Sequence, residues 1–213
     1  MDLDQNSSSV IGDRAFSDQI DVVIDCARAF IFGMHEAGMA SVGKHYPGHG
    51  SISEDSHVEK PIDKRILNEI ENKDLIPFKE LINDLDGIMT AHILFPEVDE
   101  NVTTFSKIWL SEILKAKMNF KGMIFSDDLN MEGANEYKSF YLKAEKAIKA
   151  GCEMILVCNN RNGVLDASRY FEENDIIPSE KNFSMLMADD VSWTSLEKNE
   201  TRNRISSELE KLR

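Results

Sequence analysis

The stretch Gly122-Met123-Ile124-Phe125-Ser126-Asp127-Asp128 passes from apolar residues into two aspartates, and similar stretches recur along the chain. A short apolar run that ends in polar residues is typical of a buried strand followed by a loop. We therefore predict four strands within residues 39–42, 87–91, 122–126 and 154–157. The polar residues at their ends are Lys44 and His45, Thr90 and His92, Asp127 and Asp128, and Asn159 and Asn160.

A helical segment precedes each predicted strand. Residues 18–37 carry apolar side chains at three-to-four spacing, and residues 63–83, 106–117 and 137–150 are also predicted to be helical. Helix and strand therefore alternate along the sequence. Connections that hold one helix per strand favour a parallel sheet built from right-handed β-α-β units, so the predicted fold class is α/β.

Polar residues at the same end of every strand are typical of a TIM (β/α)8 barrel, whose site is formed by the loops after the strands. A doubly wound sheet binds ligands at the same strand ends and stays an alternative. A complete barrel has eight strands in about 250 residues, whereas these 213 residues contain four clear strands and a remnant at residues 1–4. We predict one domain, residues 1–213, holding only the C-terminal part of a barrel, roughly strands 4 or 5 to 8. Residues 1–165 form the barrel part, and residues 166–213 form C-terminal helices and a tail.

The charge pattern excludes two classes of partner. The chain has 38 acidic and 24 basic residues, a net charge of −14 and no basic cluster, so no nucleic acid and no membrane surface is expected to bind. No apolar run approaches the roughly 20 residues of a membrane-spanning helix. The first residues lack the order of a signal peptide, and the expected location is cytoplasmic. The three cysteines lie in apolar stretches and are predicted to be buried thiols.

Residues 44–57 combine three histidines with acidic residues, and two kinds of chemistry fit them. His45, His49, His57 and Asp55 offer enough ligands for a metal-dependent hydrolase. Alternatively, Asp55 can orient the imidazole of His57 and raise its proton affinity. Such a histidine can donate a proton to a leaving group and later accept one from water. Solvated loop residues are the third explanation.

Asp127 and Asp128 lie at the end of the third predicted strand. A carboxylate at this position is a candidate nucleophile. A helix N-cap or a surface charge is the alternative for either aspartate. Because the side chains of adjacent residues diverge, only one of the two is expected to face the site.

Six stretches of the sequence resemble one known family. In order and spacing they are similar to the glycoside hydrolase family 3 β-N-acetylglucosaminidases, in particular the bacterial cytoplasmic enzymes of peptidoglycan recycling. The resemblance runs from residue 1 to about residue 165, and complete members carry further strands before the matched part. The stretches are IGDRAF at 11–16, KHYPGHG at 44–50, DSH at 55–57, MTAHI at 89–93, IFSDDLNM at 124–131 and AGCEMILVCNN at 150–160.

The resemblance implies a role for each matched residue. Asp127 matches the nucleophile that forms a covalent glycosyl-enzyme, with retention at the anomeric carbon. His57, oriented by Asp55, matches the acid/base residue. The residues that match those holding the N-acetylglucosamine are Arg14, Lys44 and His45.

The resemblance also implies the reaction. The family hydrolyses the bond between N-acetylglucosamine and anhydro-N-acetylmuramic acid, with or without peptide, and needs no metal or other cofactor. The expected partner is a muropeptide or another saccharide containing N-acetylglucosamine. A barrel without its first strands exposes sheet edges, which predicts self-association through the open edge. The alternatives are a metal-dependent TIM-barrel hydrolase that uses His45, His49 and His57, and a truncated, non-catalytic remnant.

Overall fold

The computed structural model describes residues 1–3, 11–49, 61–177, 179–180, 184, 186–188 and 192–211. Four parallel strands form one sheet in the order β1-β2-β3-β4. Gly43 pairs with Ile88, and Ile88 pairs with Ile124. The predicted α/β class is confirmed for these residues. The strands are β1 Val42–Tyr46, β2 Gly87–Thr90, β3 Met123–Asp128 and β4 Met154–Leu156.

Helices separate the strands. Within the described ranges, none of them is long and apolar enough to cross a membrane. The helices near the C-terminus, α6 and α7, have no buried residue. The α-helices are α1 Ile20–Glu36, α2 Leu67–Glu71, α3 Ile76–Glu80, α4 Phe140–Ala150, α5 Arg161–Glu173, α6 Trp193–Glu197 and α7 Glu200–Glu210, with a π-helix at Ile108–Lys117 before β3 and 3-10 helices at Gly12–Arg14, Thr103–Phe105 and Glu132–Ala134.

The helical segment predicted at residues 63–83 is two short helices, α2 and α3. Pro77 lies in the first turn of α3. Proline has no N–H to donate and is tolerated in a first turn, whereas inside a helix it removes a hydrogen bond and clashes with the preceding turn. A second helix therefore begins at Ile76. The turn between the two helices buries Leu75 completely.

In β1 and β3, the polar residues predicted to follow the strands belong to the strands themselves. Lys44 and His45 lie within β1, and Asp127 and Asp128 are the last residues of β3. β1 also begins later than residues 39–42 predict, because its pairing with β2 begins at Val42. These side chains are therefore positioned by strand backbone, which holds them more firmly than a loop does.

Tyr46 anchors the end of β1 to the helices. It is fully buried, and its ring meets Phe78 of α3 and Trp109 of the π-helix at centroid distances of 5.5 and 6.1 Å. Its hydroxyl donates to the Trp109 carbonyl oxygen at 3.2 Å. Burial of a side chain of this size contributes on the order of 2 kcal/mol. These contacts with the helices fix the backbone that carries Lys44 and His45.

The prediction of three buried cysteines is wrong for two of them. Cys152 is buried, and burial raises the pKa of its thiol. Cys26 on α1 and Cys158 after β4 are exposed free thiols. Cys26 lies between the buried residues Ile24 and Ala27 in sequence. Because each helical residue turns by about 100°, this position falls outside the packed stripe.

Candidate active site

The carboxyl ends of β1, β2 and β3 bring three histidines and an aspartate together. His45 lies in β1 and His49 shortly after it, and their ring centroids are 6.0 Å apart. His92 follows β2, and Asp127 lies near the end of β3. Burial lowers the pKa of His49 and of His92, and the charge of Asp127 acts on both rings in the opposite direction. The Asp127 carboxylate is therefore within electrostatic reach of both histidines.

Asp2 is the buried acid that holds the end of β1. Its carboxylate accepts hydrogen bonds from the backbone N–H groups of His45 at 3.2 Å and His49 at 2.8 Å. The Nδ1 atom of His45 lies 2.8 Å from its other oxygen. Burial alone would raise the pKa of Asp2, but the His45 ring and these hydrogen bonds outweigh it and hold the pKa well below its usual range. The sequence predicted only a strand remnant at residues 1–4 and gave no role to Asp2.

Arg14, Lys44 and His45, which the resemblance matches to sugar-binding residues, line one cavity of about 440 Å³. Arg14 comes from the 3-10 helix before α1, and the other two come from β1. Arg14 and Lys44 are exposed, whereas His45 is buried. Apolar side chains of α1 and residues 40–43 form much of the remaining lining, so the cavity lies between α1 and the outer strand β1.

The two aspartates at the end of β3 have different surroundings. The Asp128 carboxylate accepts hydrogen bonds from the backbone N–H groups of Asn130 at 3.0 Å and Cys158 at 2.9 Å. Oδ1 of Asp127 accepts a hydrogen bond from the Asp128 N–H at 2.8 Å. Asp127 is half-buried at the rim of the sheet. Asp128 therefore joins the segments after β3 and β4, while the second oxygen of the Asp127 carboxylate takes no part in that connection.

His92 is completely buried between the ends of β2 and β3. Its Nε2 atom lies 3.0 Å from the Asp128 carbonyl oxygen, and its Nδ1 atom lies 2.7 Å from the Thr104 hydroxyl. From the sequence, His92 was expected at a strand end, but no role was predicted for it. A histidine directly after an apolar run is the signal that points to such a buried position.

The predicted acid/base pair, Asp55 and His57, lies outside the described residues. The segments on either side of it are anchored. On one side, His49 is held by Asp2. On the other side, the Leu94 N–H donates to the Pro61 carbonyl oxygen at 3.0 Å, and the Asp63 N–H donates to the Leu94 carbonyl oxygen at 2.9 Å.

The predicted metal ligands are only partly described. His45 and His49 lie side by side, but His57 and Asp55 fall in residues 50–60, which the structure does not describe. Among the residues it does describe, no group of three or more histidine, cysteine, aspartate or glutamate side chains is placed to hold a metal ion. The metal-site hypothesis stays a prediction.

Residues 1–181 match the model of the glycosyl hydrolase family 3 N-terminal domain. This match spans more than half of the chain, and the chain therefore belongs to glycosyl hydrolase family 3. The domain has a TIM-barrel-like α/β fold, which agrees with the parallel sheet and its intervening helices.

Individual relatives narrow the comparison. The chain is 46% identical over 198 residues to the beta-hexosaminidase of Tolumonas auensis, a match that covers 92% of this chain and 58% of the relative. NagZ from Neisseria gonorrhoeae in complex with N-trifluoroacetyl-D-glucosamine is similar in structure, with a TM-score of 0.83 and 32% identity over 97% of this chain and 60% of that chain. NagZ in complex with zinc ion gives a TM-score of 0.79 at 30% identity and covers 97% and 59% of the two chains. The chain thus spans little more than half the length of these relatives.

Proposed function

We propose that this chain is the C-terminal part of the TIM barrel of a retaining β-N-acetylglucosaminidase. The observation that carries the proposal is the half-buried Asp127 carboxylate at the carboxyl end of β3, with its Oδ1 atom oriented by the Asp128 N–H. A carboxylate held at a strand end is the nucleophile that a retaining glycosidase needs. Membership of glycosyl hydrolase family 3 and the names of the beta-hexosaminidase relatives support the same activity.

The proposed reaction has two steps. Asp127 attacks the anomeric carbon and forms an ester bond to it, while His57 donates a proton to the departing glycosidic oxygen. His57 then accepts a proton from water, which attacks the anomeric carbon and releases Asp127. Two displacements at the same carbon give retention. Asp55 orients the His57 imidazole and stabilises its protonated form.

Arg14, Lys44 and His45 are proposed to hold the N-acetylglucosamine ring. Two of them, Arg14 and Lys44, are exposed cations that donate hydrogen bonds to sugar oxygens. Binding of N-trifluoroacetyl-D-glucosamine by NagZ from Neisseria gonorrhoeae supports a saccharide of this type. The proposed natural substrate is a muropeptide in which N-acetylglucosamine is joined to anhydro-N-acetylmuramic acid, with or without peptide, and the proposed process is peptidoglycan recycling in the cytoplasm. Hydrolysis of purified muropeptides and cell fractionation test these two points.

A turnover assay of the 213-residue chain tests the catalytic proposal. An aryl N-acetyl-β-glucosaminide releases a coloured phenol on hydrolysis, and Asp127→Asn keeps the size of the side chain while it removes the charge. We expect the variant to lose about 10³-fold or more in kcat. Asp25→Asn is the matched control, because its side chain is 81% exposed on α1, and it should retain full activity.

Two results would contradict the proposal. The first is an equal rate for Asp127→Asn and the unmodified chain, which would remove Asp127 from the reaction. The second is a folded chain that binds N-acetylglucosamine in a calorimeter but does not turn over, which would favour the non-catalytic remnant. The initial product anomer, followed by proton NMR, must be β if the reaction proceeds with retention.

A metal-dependent hydrolase is the second candidate function. The proximity of His45 and His49 favours it, as does the zinc complex of the NagZ relative. Under this alternative, dialysis against a chelator abolishes turnover and added zinc restores it. Under the glycosidase proposal, turnover is unchanged by the chelator.

The domain organisation is proposed as one partial barrel, residues 1–165, followed by C-terminal helices and a tail. Its two outer strands, β1 and β4, each border a cavity, of about 440 and 340 Å³ respectively. Phe30 and Val42 at the β1 edge are 62% and 39% exposed. Open strand edges and apolar patches favour pairing with another chain, and we propose that two copies associate there. Sedimentation should give a dimer that Phe30→Asp converts to a monomer, and a monomeric unmodified chain would contradict self-association.

A further inference from the structure

His92 lies at the centre of a hydrogen-bonded chain that ends at Asp127. Its Nδ1 atom is 2.7 Å from the Thr104 hydroxyl, which is in turn 2.8 Å from the Thr90 hydroxyl. Its Nε2 atom is 3.0 Å from the carbonyl oxygen of Asp128. His92, Thr90 and Thr104 are all completely buried. Buried polar groups of this kind need a partner for each donor and acceptor, so the proton positions can be assigned.

The Asp128 carbonyl oxygen only accepts hydrogen bonds, and Nε2 of His92 must therefore carry a proton. In a neutral imidazole, Nδ1 is then an acceptor. The Thr104 hydroxyl donates its one proton to Nδ1 at 2.7 Å rather than to the more distant Ala91 carbonyl oxygen at 3.3 Å. The Thr90 hydroxyl donates to Thr104 in turn. This arrangement gives every member of the chain a partner without placing a charge in the buried space.

The groups around His92 favour the neutral ring. Burial lowers its pKa, and the Lys143 ammonium acts in the same direction. The Asp127 and Asp128 carboxylates raise the pKa of His92 and so oppose these two effects. Lys143 is itself bonded to the Leu129 carbonyl oxygen at 2.7 Å and to the Asn135 side chain at 2.8 Å. A neutral ring leaves the charge of the Asp127 carboxylate available to an approaching electrophile, whereas an imidazolium ring would attract and partly neutralise it.

Asp128 links His92 to Asp127 because its carbonyl oxygen binds His92 and its N–H binds Asp127. Its carbonyl oxygen accepts hydrogen bonds from His92 and from the Met131 N–H at 3.0 Å. Its N–H donates to Oδ1 of Asp127 at 2.8 Å. The His92 ring therefore fixes the peptide unit between Asp128 and Leu129. The preceding unit, between Asp127 and Asp128, supplies the N–H that orients the Asp127 carboxylate, and the two units meet at the Cα atom of Asp128.

We propose that His92, as the neutral Nε2–H tautomer held by Thr104, is a positioning residue that orients the Asp127 carboxylate through the Asp128 residue. The orientation follows from the contacts of the folded chain. The effect of this orientation on turnover rests on the proposed function, in which Asp127 is the nucleophile.

Two substitutions of His92 distinguish the contribution of the Nε2–H donor from that of the packed ring. His92→Gln places an amide N–H near the position of Nε2 and keeps the bond to Asp128. His92→Phe keeps a flat ring stacked on Phe105, whose centroid is 6.4 Å away, but loses both hydrogen bonds. We expect His92→Phe to lower kcat by about 10- to 100-fold with KM changed less than twofold, and His92→Gln to recover most of the loss.

Thr104→Val tests the other end of the chain, because it removes the hydroxyl that donates to Nδ1. Its matched control is Thr103→Val, which removes a neighbouring buried hydroxyl that bonds to the Ile93 carbonyl oxygen instead. We expect a lower kcat for Thr104→Val and an unchanged kcat for Thr103→Val. Equal effects of the two changes would show a loss of packing and overturn the positioning role.

Nitrogen-15 NMR of the unmodified chain tests the tautomer without any activity measurement. The expected signals are a protonated Nε2 and an unprotonated Nδ1 of His92 that stay unchanged from pH 8 to pH 6. The carboxyl carbon-13 signal of Asp127 should shift in His92→Phe and remain in place in Thr103→Val. A protonated Nδ1, or an Asp127 signal that His92→Phe leaves unchanged, would overturn the proposal.

These readouts keep the two proposals distinguishable. If the chain gives no turnover, the proposed function fails, while the tautomer and the Asp127 signal still decide the role of His92. If His92→Phe does not fold, the tautomer in the unmodified chain and the comparison of Thr104→Val with Thr103→Val decide it.

Discussion

The ends of β1 and β3 both hold side chains of the candidate site, but they do so by different physical means. At the end of β1, the charged carboxylate of Asp2 binds two backbone N–H groups and the ring of His45. At the end of β3, His92 and Ser126 make hydrogen bonds between neutral groups: the His92 ring donates to the Asp128 carbonyl oxygen, and the Ser126 hydroxyl accepts the Leu156 N–H. Charged hydrogen bonds are stronger than neutral ones and depend on pH. The two ends should therefore respond differently to substitution and to acid.

Asp2→Ala has the largest expected effect on stability. The change leaves the N–H groups of His45 and His49 and the Nδ1 atom of His45 without their buried partner. Each unsatisfied buried group costs about 1–3 kcal/mol. We expect the free energy of unfolding to fall by about 3 kcal/mol, measured by urea denaturation. Asp25→Ala, at an exposed carboxylate of α1, is the control and should change it by less than about 0.5 kcal/mol.

Gly48→Ala should destabilise the segment that follows β1. Gly48 has φ +143°, in the region that favours glycine, and an added Cβ would lie 2.6 Å from Cβ of Asp74. Asp74 is buried and paired with Arg65 at 2.6 Å, so it has little room to move. We expect a loss of about 2 kcal/mol in the free energy of unfolding.

Gly33→Ala is the matched control for Gly48→Ala. Gly33 lies in α1, and nothing lies within 4 Å of an added Cβ. Alanine is favoured over glycine inside a helix by roughly 0.5–1 kcal/mol, so this variant should be more stable than the parent chain. A Gly48→Ala variant as stable as Gly33→Ala would refute the close packing of the β1 end against Asp74.

The pH dependence of stability should differ between the two ends. The pKa of Asp2 is lower in the folded chain than in the unfolded chain. The unfolded chain therefore binds its proton more readily, and stability is lost as the pH falls below the unfolded value of about 3.9. The pKa of His92 is also lowered by folding, mainly by burial. Its contribution is lost as the pH falls below the unfolded value of about 6.5.

Denaturation curves at a series of pH values check this difference. Asp2→Asn should reduce the loss of stability below about pH 4, and His92→Gln should reduce the loss below about pH 6.5. His49 is also buried, and burial lowers its pKa. Because both variants retain His49, both should still lose some stability below about pH 6.5. If the two variants changed the same pH range, the contrast between a charged and a neutral network would be wrong.

Much of the fold could be predicted from the sequence, because it depends on local patterns. The alternation of helices and apolar runs predicts the parallel sheet, and the change from apolar to acidic residues marks the end of β3. The contacts of Asp2 could not be predicted, since they join residues 43 and 47 positions apart. The role of His92 likewise depends on Asp128, 36 positions away. Contacts between residues so far apart leave no periodic pattern in the sequence.

One local prediction failed because a single residue interrupts a pattern, and the helix predicted at residues 18–37 forms as α1 but leaves part of its apolar stripe uncovered. Pro77 splits a segment whose apolar residues indicate one helix. Phe30 belongs to the apolar stripe of α1 but is 62% exposed and lines the cavity beside β1. A periodic pattern reports which face is apolar, and it does not report whether anything covers that face.

Ser126→Ala has the smallest expected effect and tests the neutral network most directly. Ser126 is fully buried in β3, and its hydroxyl oxygen accepts the Leu156 N–H at 2.9 Å, where the register between β3 and β4 shifts. Loss of one neutral hydrogen bond should lower the free energy of unfolding by about 1 kcal/mol. Ser207→Ala on the exposed helix α7 is the control and should have no measurable effect. If Ser126→Ala destabilised the chain as much as Asp2→Ala, charge would not explain the difference between the ends of β1 and β3.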